Sequence, residues 1–428
     1  MENTIQQTIN LKASQMAESL IGSEIIRLAG EIKERQANNE PIVNFTIGDF
    51  NPQIFPIPTE LTDEIIKAYR NQETNYPAAN GMAELRKAVS GFLLRKQNLN
   101  YSADEILISG GARPLIYAVY KAIVDPNDKV LFPVPSWNNN HYTHLSLANS
   151  VFIETQPEDN FMPTADQLKP YLSEVSLVAL CSPLNPTGTV FSKEELEKIC
   201  DLILSENSRR GPNEKPLYLM YDQIYWALTY NDTVHYDPVS LRPEMRNYTL
   251  YIDGMSKAFA ATGVRVGWAF GPERIIGKMK SILGHVGAWS PKAEQIASAH
   301  YLNNANAVDT FLEKIKTDVL ARLNGFYTII QELKAEGYPV NAIAPQAAIY
   351  LTVQFSLKGK TTPEGVTLSS TADVTKYLLE KAHLAIVPFY AFGASADSDW
   401  YRLSVGTASM EDLNRVKIYL KEALTQLK

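Results

Sequence analysis

From about Tyr76 onward, short apolar runs alternate with longer segments of helical period. The runs fall at Ile106–Ser109, Val130–Phe132, Val151–Ile153, Leu177–Cys181, Leu217–Tyr221, Thr249–Ile252 and Val266–Phe270. Met82–Lys96, Arg113–Ile123, Lys193–Ser205 and the long segment Pro291–Leu333 are the candidate helices. Strands that alternate with helices favour βαβ units and a mostly parallel sheet. The tail has a different rhythm. Ile349–Phe355 and Tyr401–Val405 read as strands, and Ala372–Ala382 and Met410–Leu427 as helices, which makes a smaller α+β lobe. A chain of 428 residues exceeds what one hydrophobic core usually organises, so two lobes are expected on size alone. Near the start, Ser19–Arg35 is amphipathic, with Ile21, Ile25, Ile26, Leu28 and Ile32 on one side. A loop with Gly and Pro follows from Gly48 to Pro58.

Charge and cysteine content narrow the classes. A net charge of −7 argues against a nucleic-acid partner, which needs clustered Lys and Arg. The two cysteines, Cys181 and Cys200, form no Cys-x-x-Cys pair, so no zinc ribbon, disulfide framework or other metal site is expected. No apolar run approaches the ~18 residues that span a bilayer. Met1–Asn10 is polar, without the apolar core of a secretion signal. A cytoplasmic protein without a membrane partner is the expectation. No Gly-x-Gly-x-x-Gly occurs, which disfavours a dinucleotide-dependent dehydrogenase.

Three short motifs carry chemistry. The first runs from Asp253 to Gly267 and includes Gly254, Ser256, Lys257 and Gly263-Val264-Arg265-Val266-Gly267. A lysine just past a strand, among small residues, has room to reach a flat carbonyl cofactor, and an amine forms Schiff bases with aldehydes. Arg265 offers a fixed cation to a phosphate. The second is Asn185-Pro186-Thr187-Gly188, after the run Leu177–Cys181. It reads as a plain turn, or as an Asn185 amide placed to donate to a phenolate oxygen. The third is Asp222-Gln223-Ile224-Tyr225, after Leu217–Tyr221. A carboxylate at the end of a parallel strand lies where such sheets bind ligands, although an Asp there also serves as a helix cap.

In order and spacing these motifs resemble the class I and II aminotransferases, the aspartate-aminotransferase-like branch of pyridoxal-phosphate enzymes. The resemblance runs along nearly the whole chain. It implies a pyridoxal-phosphate transferase fold: a large domain over about 56–320, and a small domain formed by 1–55 with 321–428. It implies that Lys257 forms the Schiff base with the cofactor and moves the substrate proton. Asp222 would pair with the pyridinium nitrogen, and Tyr225 and Asn185 would donate to the phenolate oxygen. Gly111 and Ala112, in Gly110-Gly111-Ala112, resemble the turn that cradles the phosphate, together with Ser256 and Arg265. Trp137 resembles the aromatic residue that stacks on the pyridine ring. Gly48, Asn185 and Arg402 would hold the substrate, with Arg402 on the α-carboxylate. Tyr76, in Asn75-Tyr76-Pro77, would reach the cofactor phosphate of a second subunit, which implies a homodimer. The substrates implied are an L-amino acid and a 2-oxo acid. A β-lyase, a decarboxylase and a non-catalytic amino-acid sensor share the same cofactor motifs. A sensor usually adds a DNA-binding module, for which the two domains leave no chain.

Two positions depart from the pattern. Gly254 stands where some members carry a phosphate-binding serine, so Ser256 and Arg265 would carry more of that load. Arg113 opens a predicted helix, where a cation opposes the helix dipole. That placement implies a nearby anion, either the cofactor phosphate or an acidic substrate side chain, unless Arg113 is simply exposed. Dicarboxylate-selective members often bring an arginine from the neighbouring subunit, ahead of a Ser-x-Pro-type segment. The matching stretch here, Gly284 to Pro291, has none. His285 or Trp289 would line the side-chain pocket instead, which leaves aspartate and aromatic or neutral amino acids all open.

Overall fold

The computed structural model describes residues 12–20, 22, 24–38 and 40–428. Met1–Asn10 and Ile21 lie outside the described residues. The central element is a seven-stranded sheet. Its strands are β1 (Ile106–Ser109), β2 (Lys129–Val134), β3 (Asn149–Glu154), β4 (Leu177–Cys181), β5 (Tyr218–Asp222), β6 (Thr249–Gly254) and β7 (Gly267–Phe270). Their spatial order is β1-β7-β6-β5-β4-β2-β3. Only β7 runs against its neighbours, pairing antiparallel with β1 and β6. The amino end of β7 therefore shares an edge with the carboxyl ends of the others. Ser109 faces Gly267, Gly267 faces Gly254, and Cys181 faces Asp222. In open α/β sheets this is the edge where ligands bind.

Period-two alternation explains why both sheet faces are covered. Ile108, Leu131, Val178, Leu219, Tyr251 and Trp268 enter one core, shared with helices Ala83–Gln97, Lys193–Arg210 and Lys292–Asn303. Leu107, Val130, Ala179, Met220, Ile252 and Ala269 enter the opposite core, under helices Ala112–Ile123 and Glu273–Val286. A further core joins Phe45, Phe50 and Phe55 to residues from Ile315 to Leu424. It underlies a four-stranded antiparallel sheet of β8 (Val340–Ala342), β9 (Tyr350–Phe355), β10 (Val387–Pro388) and β11 (Trp400–Ser404), in the order β10-β11-β9-β8. Val43–Asn44 pairs in parallel with Leu384–Ala385 and fastens the N-terminal segment to this unit.

Several elements differ from the sequence expectation. The long segment Pro291–Leu333 is two helices, Lys292–Asn303 and Ala305–Ala335. Asn304 breaks it, and its side-chain oxygen accepts from the Ala307 N–H at 3.2 Å, which supplies an N-cap. Among the described residues of the amphipathic stretch from Ser19, the helix covers Glu24–Ala37. Ser19 instead ends a separate turn, Gln15–Glu18, that Ser14 caps. Strand β5 extends to Asp222, one residue beyond the apolar run, because Asp222 keeps its ladder position opposite Ile252. Helices Thr59–Arg70 and Glu273–Val286 were not among the expected elements.

Candidate active site

The shared sheet edge opens into a cavity of about 630 Å³ between the two sheets. Lys257 sits in the short turn Met255–Ala258, directly after β6. Its Nζ donates to the Gly48 carbonyl at 2.6 Å and lies 5.8 Å from the centre of the Tyr225 ring. Burial lowers the Lys257 ammonium to about 8. Asp49 opposes that shift, while Arg402, Arg113 and Arg265 reinforce it by repulsion.

Close packing of glycines explains the geometry around Arg265. Arg265 has φ +60°, a left-handed conformation uncommon for a residue with a side chain. Its guanidinium donates to the carbonyls of Thr262 and Gly110, both at 2.7 Å. A Cβ on Gly111 would lie 2.2 Å from the Arg265 Nη2, and a Cβ on Gly267 would lie 2.5 Å from the Gly111 carbonyl carbon. Only glycine at both points lets Arg265 lie across the entrance of helix Ala112–Ile123, whose first N–H groups lack helical partners. The same crowding accounts for Gly254. A Cβ there would meet the Gly267 Cα at 2.8 Å, so no serine fits.

Asp222, the last residue of β5, accepts from the Ile224 N–H at 3.0 Å, and no helix follows for it to cap. Burial raises its carboxyl to about 6. The Tyr225 and Tyr350 hydroxyls share a hydrogen bond, and both rings are buried. Arg402, on β11, is 1% exposed. It donates to Asn185 Oδ1 at 3.0 Å and to the Thr46 carbonyl at 2.6 Å. Its guanidinium carbon lies 4.8 Å and 4.9 Å from the ring centres of Tyr350 and Phe392. Its Nε is buried without a partner, and among the described residues no carboxylate pairs with it. A buried cation without a counter-ion is costly, so this position suits an anion.

Residues 40–417 match the family described as aminotransferase class I and II. The chain belongs to the class I and II aminotransferases. It is 29% identical to the aspartate aminotransferase of Rhizobium meliloti strain 1021, over 99% of this chain and 98% of that protein. It is 30% identical to a probable aspartate/prephenate aminotransferase of Rickettsia felis, over 86% of each chain. The crystal structure of the aspartate aminotransferase from Rhizobium meliloti superimposes with a TM-score of 0.87 at 26% identity, covering 98% of this chain and all of that one.

This aminotransferase is therefore a pyridoxal-phosphate-dependent enzyme that moves an amino group between an L-amino acid and a 2-oxo acid. Its cavity brings together Gly48, Ala112, Trp137, Asn185, Asp222, Tyr225, Ser256, Lys257, Arg265 and Arg402. Gly111 shapes the wall from behind. Tyr76 is 83% exposed, its ring edge-on to Trp289 at 5.3 Å, and it lies outside the cavity of its own chain. His285 and Trp289 do not line that cavity either. Arg113 does line it, its guanidinium carbon 5.3 Å from the Trp137 ring centre.

Sequence reasoning missed Tyr350, which stands between Tyr225 and Arg402. It also missed Thr46 as the carbonyl partner of Arg402. Tyr350 belongs to no motif, and its signal was only a buried place on the Ile349–Phe355 strand. The pH behaviour of Lys257 is directly measurable in cofactor-free protein. Reductive alkylation of this amine with a small aldehyde and borohydride is expected to be half-maximal at about pH 8, because only the unprotonated amine attacks. A midpoint near the ordinary lysine value of about 10.4 would refute the burial argument.

Proposed function

We propose that Lys257 carries pyridoxal phosphate in this cavity, and that the enzyme's amino donor is a dicarboxylic amino acid such as aspartate. The buried cation of Arg402 beside the Lys257 amine is the observation that carries the reading. The residues present fit the cofactor together with an amino-acid carboxylate on three counts. Arg402 Nε is buried without a partner. Arg265 lies across a glycine-opened helix entrance without a carboxylate partner among the described residues. Asp222 and Tyr225 flank the lysine in the same cavity.

Bound there, pyridoxal phosphate supplies an aldehyde that links to amines and a ring that delocalises negative charge from the substrate Cα. Arg265, Ser256 and the N–H groups opened by Gly111 and Ala112 would hold its phosphate. Trp137 would lie against its ring, and Asn185 and Tyr225 would donate to its phenolate oxygen. Asp222 would keep the ring nitrogen protonated. Its carboxyl is neutral more readily than usual in the cofactor-free cavity, and a cationic partner favours the charged form. Arg402, with Gly48 and Asn185 beside it, orients the α-carboxylate so that the Cα proton faces Lys257 Nζ. Lys257 Nζ would take that proton and later give it up, acting as base and then as acid.

Arg113 supports the dicarboxylate assignment, since it lines the cavity over Trp137 and no carboxylate pairs with it among the described residues. A neutral or aromatic donor is the second reading, favoured by the apolar residues Ala29, Ile47, Ile116 and Ile224 in the same lining. Absorption of the holoenzyme, titrated with aspartate, glutamate, phenylalanine, methionine and alanine, decides between them. Conversion of the lysine-bound cofactor band to the pyridoxamine form with the acidic pair alone supports the first reading; conversion with phenylalanine or methionine supports the second. Arg113→Ala is expected to raise KM for aspartate about 10- to 100-fold and to leave phenylalanine within about twofold. Equal KM values for both donors before and after the change would remove Arg113 from the side-chain site.

The large domain spans about 56–320, and 1–55 with 321–428 make the small one. The two cores on the faces of the seven-stranded sheet and the separate core from Ile315 onward support that division. The enzyme works as a homodimer in the cytoplasm. The exposed ring of Tyr76 and the unpartnered, buried indole N–H of Trp289 support a second subunit at this face, with Tyr76 reaching the partner's phosphate site. Two free thiols, Cys181 and Cys200, suit a reducing compartment. No helix among the described residues is long and apolar enough to cross a membrane.

A further inference from the structure

One buried carboxyl near the reaction centre has no part in the chemistry above. Asp253 ends the apolar part of β6, four positions before Lys257, and is 1% exposed. Its Oδ2 accepts from the Trp226 indole N–H at 2.8 Å, and its Oδ1 from the Gly254 N–H at 2.7 Å. Trp226 directly follows Tyr225 in the loop that leaves Asp222. Gln223 of the same loop also meets the Asp253 carboxyl, and its Oε1 is buried without a partner. No cation pairs with Asp253 among the described residues, and the titratable group that faces it is Asp222. Burial raises Asp253 to about 8, so at neutral pH it carries its proton. A neutral carboxyl can accept from Trp226 and Gly254 and still has one O–H to donate. These bonds join the loop and the turn in one buried network.

We propose that Asp253 is a positioning residue: its carboxyl ties the loop that carries Asp222 and Tyr225 to the turn that carries Lys257, and so sets the separation between the Lys257 amine and the Asp222 carboxylate. The proposal rests on the roles given above to Lys257 and Asp222.

Asp253→Asn and Trp226→Phe, singly and together in the cofactor-loaded enzyme, test it. The asparagine nitrogen cannot accept, so one of the two N–H bonds is lost with the shape kept. Phenylalanine removes the indole donor and keeps an aromatic ring. Each single change is expected to lower kcat about 10- to 100-fold, with KM for the amino donor within about twofold. The double variant should be no slower than the worse single, because both break the same tie. The pH midpoint of the bound-cofactor absorption should move in both singles. Losses that multiply in the double variant, or a spectral midpoint unchanged in both singles, would overturn the proposal. If Asp253→Asn does not fold, the spectral midpoint of Trp226→Phe decides alone. A Lys257→Ala control separates the two levels. If it keeps the lysine-bound band, the assignment of Lys257 fails. If it loses the band while both singles titrate like the parent enzyme, only the positioning role fails.

Discussion

Lys257→Ala is expected to abolish transamination, lowering kcat by about 10⁴-fold or more. The change removes both the amine that links the cofactor and the group that moves the Cα proton. Proton transfer by a positioned side chain alone is worth about 10²–10⁴. The fold should survive, because among the described residues the lysine Nζ makes one hydrogen bond, to the Gly48 carbonyl. Single-turnover absorption measurements with aspartate check the loss. Added methylamine should restore part of the rate by acting as the missing base. A variant that retains more than about a tenth of the parent rate would sink the assignment.

The second large effect falls on Arg402. Arg402→Gln is expected to cost about 2–5 kcal/mol of transition-state stabilisation, roughly 30- to 5000-fold in kcat/KM for amino acids. The loss is large because the guanidinium is buried and pre-oriented by Asn185 Oδ1, the Thr46 carbonyl and two aromatic rings. Arg402→Lys should recover only part of it, since one ammonium cannot reproduce a planar fork. The control is an amine substrate without a carboxylate. Arg402→Gln should leave its slow reaction nearly unchanged. An equal loss for that amine would make Arg402 a structural residue.

The line between what was legible early and what was not follows from the range of each interaction. Strands β1 and β4 were readable to the residue, because a strand buried on both faces is a continuous apolar run. Lys257, Arg265 and Gly267 were readable because one short segment holds them and the crowding of glycines is itself a local pattern. The break at Asn304 was not readable, because helical period continues on both sides and a cap made by one side chain leaves no mark on it. Tyr350 was invisible for another reason. It enters the cavity from the small sheet, and its partner Tyr225 lies 125 positions away. Asp253 looked like one more polar residue beside a motif. Its burial and its tie to Trp226 exist only once β6 lies beside β5.

The sequence by itself determined the alternating α/β architecture, the family and the lysine that is the candidate cofactor link. Those depend on local period and on short motifs whose residues are neighbours in the chain. Tertiary structure alone decided the electrostatics. It set Arg402 as a buried cation in contact with Asn185, Thr46 and Tyr350, lowered the Lys257 amine, and raised Asp222 and Asp253. Each of these shifts is the cost of removing a charge from water, and that cost exists only when distant segments close over the group.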